Sequence, residues 1–158
     1  MDNHIYVTAK GKKMLEQRLD ELIAMRSGVA NDIKTAREFG DLKENSEYAA
    51  AREAQSNLED EIIATQEKIA NLKVFSYQKV DTKCVNIGTK VKIAEVGGKR
   101  VQEWIITGII ETDPLNNYIS NDSPLGKCLL GHAVNDVIVM HTPAGQVKYK
   151  IVSISAGQ

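Results

Sequence analysis

The chain has 158 residues, and its 20 Lys and Arg nearly balance its 21 Asp and Glu, so the formal net charge is −1. This balance argues against a free-standing protein that binds naked nucleic acid, because such proteins are usually basic. No apolar run approaches the roughly 18 residues of a membrane span, and the first residues lack the basic-then-apolar pattern of a secretory signal, so we expect a soluble cytoplasmic protein.

The first long segment has the pattern of an amphipathic helix. From Leu15 to Ala36, apolar residues recur at every third or fourth position, with Arg26 as the single exception. Thr8 is a candidate N-cap. We expect the helix to stop at Gly40, because glycine suits the left-handed conformation found just past a helix end.

A second segment repeats this rhythm from Tyr48 to Leu72. Two amphipathic helices joined by a short loop bury both apolar stripes only by folding back on each other. The sequence therefore predicts an antiparallel coiled-coil hairpin, about 45 Å long at 1.5 Å per residue, with the loop at its far tip.

The remainder has a different pattern. All three prolines and eight of the eleven glycines follow residue 87, and short alternating segments lie between them. One short helix is predicted over Leu125–Leu130, with Ser123 as N-cap and Pro124 at the first helical position. The fold class is therefore α+β, with a coiled-coil hairpin over 1–75, a linker over 76–86 and a β-rich domain over 87–158.

The turn between the two helices is strongly acidic, with carboxylates at positions 38, 41, 44 and 47. One interpretation is structural, because Asp41 and Glu44 fit the reciprocal capping pattern of a helix N-terminus. The other is a partial Mg2+ shell, since magnesium is often held by only one or two protein carboxylates. So sparse a shell would complete a metal site belonging to a partner, such as a two-metal phosphodiester hydrolase.

Basic residues flank this turn, and two interpretations of them are open. Arg37 and Arg52, which we place at similar heights below the tip, would form surface ion pairs with neighbouring glutamates, worth about 0 to 1 kcal/mol each. Alternatively, the two arginines form a local clamp for a nucleic-acid backbone.

The stretch Ala36-Arg37-Glu38-Phe39-Gly40-Asp41-Leu42-Lys43-Glu44-Asn45-Ser46-Glu47-Tyr48 closely resembles the tip of the bacterial GreA/GreB transcript-cleavage factors. The resemblance extends over nearly the whole chain, through Asp122-Ser123-Pro124-Leu125-Gly126 and Thr142-Pro143-Ala144-Gly145. Ser46 and Cys128 depart from it, since alanine is common there. Residues 1–78 hold 11 basic and 14 acidic side chains, net −3, which resembles the GreA branch rather than the basic GreB branch.

This resemblance implies that the coiled coil enters the secondary channel of RNA polymerase. There Asp41 and Glu44 help to hold the second Mg2+ of the polymerase active centre, so that the 3' end of backtracked RNA is hydrolysed and elongation resumes. Arg37 and Arg52 match the small basic patch that faces this RNA end. The hydrolytic site is the polymerase's, so we expect an accessory factor and not an enzyme, with no Mg2+ tightly bound to the free protein.

The resemblance also implies a C-terminal domain similar in fold to FKBP-type isomerases, which docks on the polymerase through the loop Asp122-Ser123-Pro124. Two other functions are compatible with this fold. Relatives that enter the channel without promoting cleavage are expected to differ at the tip, where this chain keeps both carboxylates. A prolyl isomerase needs an aromatic-lined pocket, and the single Trp104 with few other aromatics argues against one. We expect the free protein to be monomeric, with no membrane partner.

Overall fold

The computed structural model describes residues 4–39 and 45–158. The chain forms two compact units, one of which is Lys12–Asn71. The other combines the described residues up to Gly11 with Leu72–Gln158. Within the described residues, no helix is long and apolar enough to cross a membrane.

Two long helices make up the first of these units. Helix α1 spans Ala9–Arg37 and helix α2 spans Ser46–Ala70. Thr8 is the N-cap of α1 as predicted, because its Oγ1 accepts a hydrogen bond from the Gly11 N–H at 3.1 Å. Helix α1 ends at Arg37, three residues before the predicted stop at Gly40, which lies outside the described residues. Residues 38 and 39 continue only as a turn, whose N–H groups bond to carbonyls three residues back and tighten the helix end.

Contacts between α1 and α2 confirm the antiparallel hairpin. Leu22 of α1 is fully buried against Leu58 and Ile62 of α2. Arg18 pairs with Glu61 at 2.9 Å and Arg26 with Glu59 at 2.8 Å, so the partner's number falls as the residue number rises. Arg26 is the one charged residue in the predicted apolar stripe of α1. Its guanidinium binds the Glu59 carboxylate of α2 through two nitrogens, at 2.8 and 2.9 Å.

The second unit contains the β-rich part of the chain. A pair of three-residue strands comes first, β1 (Ile5–Val7) and β2 (Leu72–Val74), which lie parallel. A five-stranded sheet follows in the order β5-β4-β3-β7-β6. Its strands are β3 (Thr89–Glu95), β4 (Val101–Thr107), β5 (Tyr118–Ser120), β6 (Val137–Thr142) and β7 (Gly145–Ala156).

The sheet packs around one short helix, α3 (Pro124–Leu129), much as the sequence predicts. Leu129 of α3 is fully buried with the apolar residues of one sheet face, among them Val91, Ile93, Ile106 and Ile151. The sheet is not wholly antiparallel as expected, because β4 and β5 run parallel. Residues 108–117 connect these two strands through two 3-10 turns, and β5 pairs with the last three residues of β4, beginning with Tyr118 opposite Ile105.

The predicted boundaries at 75 and 87 differ from those of the compact units. β1 pairs with β2, and the Thr8 N–H donates to the Glu111 carboxylate at 3.1 Å, which ties the start of the chain to the C-terminal unit. Within the segment predicted as a linker, Val85 is fully buried. Tyr77 is buried too, and its hydroxyl lies 2.8 Å from the Thr107 hydroxyl. Residues 76–86 are therefore anchored to the C-terminal unit by two buried side chains, Tyr77 and Val85, although most of the segment is exposed.

Candidate functional site at the hairpin tip

Asn45 joins the two helices at the base of the acidic turn. Its Oδ1 accepts hydrogen bonds from the N–H groups of Glu47 at 3.0 Å and Tyr48 at 3.1 Å, which makes it the N-cap of α2. Its Nδ2 donates to the Ala36 carbonyl in the last turn of α1 at 2.5 Å. One side chain thus satisfies free donors at the start of α2 and also donates to a carbonyl in the last turn of α1.

The predicted capping role of Asp41 and Glu44 is therefore wrong for α2, because that helix begins at Ser46 and already has Asn45 as its cap. Both carboxylates lie outside the described residues, between Phe39 and Asn45. Within 4–39 and 45–158, no group of three or more His, Cys, Asp or Glu side chains is placed to hold a metal ion. The assignment of Mg2+ to Asp41 and Glu44 remains a prediction.

Arg37 and Tyr48 contact each other just below the turn. The Arg37 Nη2 lies 3.5 Å from the Tyr48 hydroxyl, and its Cζ lies 5.6 Å from the centre of the Tyr48 ring. The hydrogen bond from Arg37 lowers the pKa of the Tyr48 phenol, and the charges of Arg37 and Arg52 act in the same direction against the opposing effect of burial. The structure thus brings both predicted arginines to one aromatic side chain.

The heights of the two arginines differ from the expectation. Across the hairpin, Ala36 meets Asn45 and Arg37 meets Tyr48, so Arg52 lies one helical turn further along α2. Among the described side chains, neither arginine forms an ion pair with a carboxylate. The expected surface ion pairs with Glu38, Glu47 or Glu53 are therefore absent from this part of the chain, and the clamp interpretation is the one left open.

Side-chain hydrogen bonds hold the predicted docking loop at the end of β5. The Ser123 hydroxyl accepts from the Gly126 N–H at 3.1 Å and donates to the Ser120 carbonyl at 2.6 Å, so Ser123 caps α3 with Pro124 as its first residue. Asp122 is exposed, and its carboxylate lies 3.7 Å from the Lys127 amine. The sequence predicts this local structure correctly, whereas the docking role of the loop is not tested by it.

The unit that contains the β-sheet has a cavity lined partly by aromatic residues, the feature that a prolyl isomerase would need. This cavity, of about 400 Å3, is lined by Phe75 and Tyr77, with Lys10 at its wall. Trp104 does not line this cavity. Its indole N–H donates to the Gln102 side chain at 3.1 Å, and its ring packs against the sheet core. The tryptophan therefore supports the sheet and not this cavity.

Sequence reasoning missed the roles of Asn45 and Tyr48. The neighbouring acids fit a capping pattern of their own and so favour the wrong N-cap. The signal for Asn45 is that asparagine is among the best N-caps and directly precedes Ser46 and Glu47, the first residues of α2. The heptad position of Tyr48 predicts a place in the apolar stripe. Its contact with Arg37 depends on the pairing of the two helices, which local pattern does not contain.

Comparison with known proteins covers both units. Residues 5–74 match the family "Transcription elongation factor, N-terminal", and residues 80–156 match "Transcription elongation factor, GreA/GreB, C-term".

The chain is 41% identical over 150 residues to transcription elongation factor GreA of Halalkalibacterium halodurans, covering 94% of this chain and 95% of the relative. It is 43% identical over 150 residues to the GreA of Shouchella clausii, with the same coverage. Among solved structures, the GreA factor homolog Gfh1 of Thermus thermophilus is 22% identical with a TM-score of 0.43, covering 97% of this chain and 99% of that one. The sequence matches alone establish that the chain belongs to the GreA/GreB family of transcription elongation factors.

Proposed function

We propose that this protein rescues arrested RNA polymerase by stimulating cleavage of the 3' end of backtracked RNA. The helical hairpin enters the secondary channel and carries its tip to the polymerase active centre. The polymerase performs the hydrolysis in the cytoplasm, and this protein is an accessory factor. The observation that carries the proposal is the tip itself, where two arginines without carboxylate partners in the described chain flank a turn containing Asp41 and Glu44.

The chemistry of the tip follows from its residue types. Carboxylate oxygens are the ligands that Mg2+ prefers, so Asp41 and Glu44 would hold the ion jointly with polymerase carboxylates. The chemistry that such an ion would supply is the orientation and activation of a water molecule for attack on a phosphodiester. Arg37 and Arg52 hold the RNA backbone, because guanidinium groups bind phosphate oxygens through charge-assisted hydrogen bonds.

The C-terminal unit supplies docking in this proposal. Asp122, Ser123 and Pro124 contact the polymerase at the channel mouth, and the capped, hydrogen-bonded loop presents them in one conformation. A preorganised loop loses little conformational entropy on binding, which favours affinity.

The test is cleavage of a stalled, backtracked complex with and without the protein. Asp41→Ala and Glu44→Ala should each abolish the stimulation while leaving polymerase binding largely intact, because the carboxylates act on the ion and not on docking. Asp60→Ala is the matched control, since it removes an exposed acid from α2 away from the tip.

Two outcomes would contradict the proposal. Intact protein that binds polymerase without stimulating cleavage would be a non-cleaving regulator of the channel. Loss of polymerase binding in both tip variants would make Asp41 and Glu44 docking groups and remove the argument for the metal.

A further inference from the structure

We propose that the Tyr48 hydroxyl is a third phosphate-binding group at the hairpin tip, donating its proton to the same RNA phosphodiester that Arg37 and Arg52 contact. This inference rests on the proposed function and extends it to a residue that the arginine clamp does not include. The ligand class is a phosphodiester anion.

The three side chains are brought together by the hairpin. Arg37 is the last residue of α1, and Tyr48 lies in the first turn of α2. Arg52 follows Tyr48 by four residues on α2, which places both on the same helix face. The hydrogen bond from Arg37 is the largest cause that lowers the pKa of the Tyr48 phenol, and the charge of Arg52 acts weakly in the same direction.

The charge of this cluster is available to a ligand. Further from the tip, Arg18 and Arg26 are neutralised by Glu61 and Glu59 across the hairpin. Arg37 instead contacts a phenol oxygen and an aromatic ring, neither of which carries a full negative charge. Within the described chain, the cations nearest the tip therefore keep their charge for an external anion.

The Tyr48 hydroxyl has both an acceptor oxygen and a donor proton. A guanidinium only donates, so the Tyr48 oxygen must be the acceptor of the 3.5 Å contact with Arg37. The phenol proton is then free to donate, and it has no acceptor among the residues that the structure describes. By contrast, the Tyr77 hydroxyl is engaged with Thr107 at 2.8 Å. A phenol made more acidic by two neighbouring cations is also a stronger donor to an anionic oxygen.

The set fits phosphate better than a nucleobase. Two guanidiniums and one O–H are all donors, which suits an anion with several acceptor oxygens. A base stacking on Tyr48 would compete with Arg37, whose Cζ lies over the ring at 5.6 Å. Base stacking on Tyr48 is therefore the alternative that the experiment distinguishes from phosphate binding.

The test uses the full chain with Tyr48→Phe and, separately, with p-methoxyphenylalanine at position 48. The methoxy group keeps an oxygen that can accept from Arg37 but has a methyl group in place of the phenol proton, so it cannot donate. Both changes should lower the cleavage rate at saturating factor about tenfold, the value of roughly one hydrogen bond to a charged group. The Kd for polymerase should be unchanged. Tyr149→Phe, which removes a phenol hydroxyl from β7, is the control and should leave cleavage unaltered.

Several results would overturn the inference. Full cleavage by Tyr48→Phe would mean that the hydroxyl does not contribute. A third variant, Tyr48→Leu, removes the ring as well, and a loss of cleavage confined to this variant would indicate base stacking. Full cleavage by the methoxy variant would mean that the oxygen acts only as an acceptor for Arg37. If the unaltered protein stimulates no cleavage, the proposed function fails and the Tyr48 role fails with it. If the wild-type and Tyr48→Phe proteins are equally active, only the Tyr48 role is contradicted.

Discussion

Asn45 links the two helix ends that flank residues 40–44. Its side chain bonds to the last turn of α1 and to the first turn of α2, so it holds these two helix ends next to each other. Catalytic groups tolerate only small displacements, and ligands on a turn depend on the anchors beneath it. Asn45 is therefore a positioning residue for the carboxylates that we propose to hold the ion.

Asn45→Ser separates its two contacts. Serine keeps a good cap for α2 but cannot reach the Ala36 carbonyl as asparagine does. We expect little change in helix content and in the Kd for polymerase, and a several-fold higher Mg2+ concentration for half-maximal cleavage. Titration of cleavage against Mg2+ measures this directly.

Asn45→Ala is the comparison, since it removes the cap as well and should cost about 1 kcal/mol of stability. An unchanged Mg2+ requirement in both variants would show that Asn45 serves only the fold.

At the scale of single elements, two glycines have opposite roles. A Cβ added at Gly28, in the middle of α1, would meet nothing within 4 Å. A Cβ added at Gly126, in α3, would lie 2.2 Å from the Ser120 carbonyl oxygen and 2.9 Å from the Ser123 hydroxyl. The first glycine costs its helix stability, and the second is required by the close approach of α3 to the end of β5.

Gly28→Ala should therefore raise the free energy of unfolding by about 1 kcal/mol, the difference in helix propensity. Gly126→Ala should lower it by about 1 to 3 kcal/mol, because the backbone of the loop must shift to make room. Denaturant unfolding of the two variants beside the wild type measures both. Equal destabilisation by the two alanines would contradict the packing argument.

The long helices and most of the strands follow from the sequence because their apolar periods are long or bounded by glycine and proline. What local pattern could not supply are features made by distant residues. β1 and β2 have only three residues each and pair across the whole hairpin, as Ile5 with Leu72. The segment around Tyr77 has the local pattern of a linker. Burial of Tyr77 depends on packing with distant residues such as Thr107, 30 positions away.

The hairpin tip shows the same division. The acidic turn and its flanking arginines stand out in the sequence. The Arg37–Tyr48 contact and the Asn45–Ala36 bond depend on how two helices align, which no single segment encodes.

For the molecule as a whole, tip chemistry and docking should be separable. Asp122→Ala is a cleaner probe of docking than changes at Ser123, whose hydroxyl caps α3. We expect Asp122→Ala to raise the Kd for polymerase while leaving maximal cleavage at saturating factor unaltered. Binding isotherms and cleavage rates taken on the same complexes provide the measurement.

Lys127→Ala serves as the control, because it breaks the same exposed 3.7 Å pair from the other side. An exposed pair of this kind contributes little to stability. An equal loss of affinity in both variants would trace the effect to the pair and not to a contact made by Asp122.

The pairing of β1 with β2 also sets an order of events during synthesis. Val7 ends β1, and the first residue of its partner strand, Leu72, emerges about 65 residues later. At roughly 5 to 20 residues per second, this first strand waits about 3 to 13 s on the ribosome. The two helices, whose contacts are more local, can form during that interval. Strand β1 is thus made first but completes its pairing only after both helices have been synthesised, when β2 becomes available.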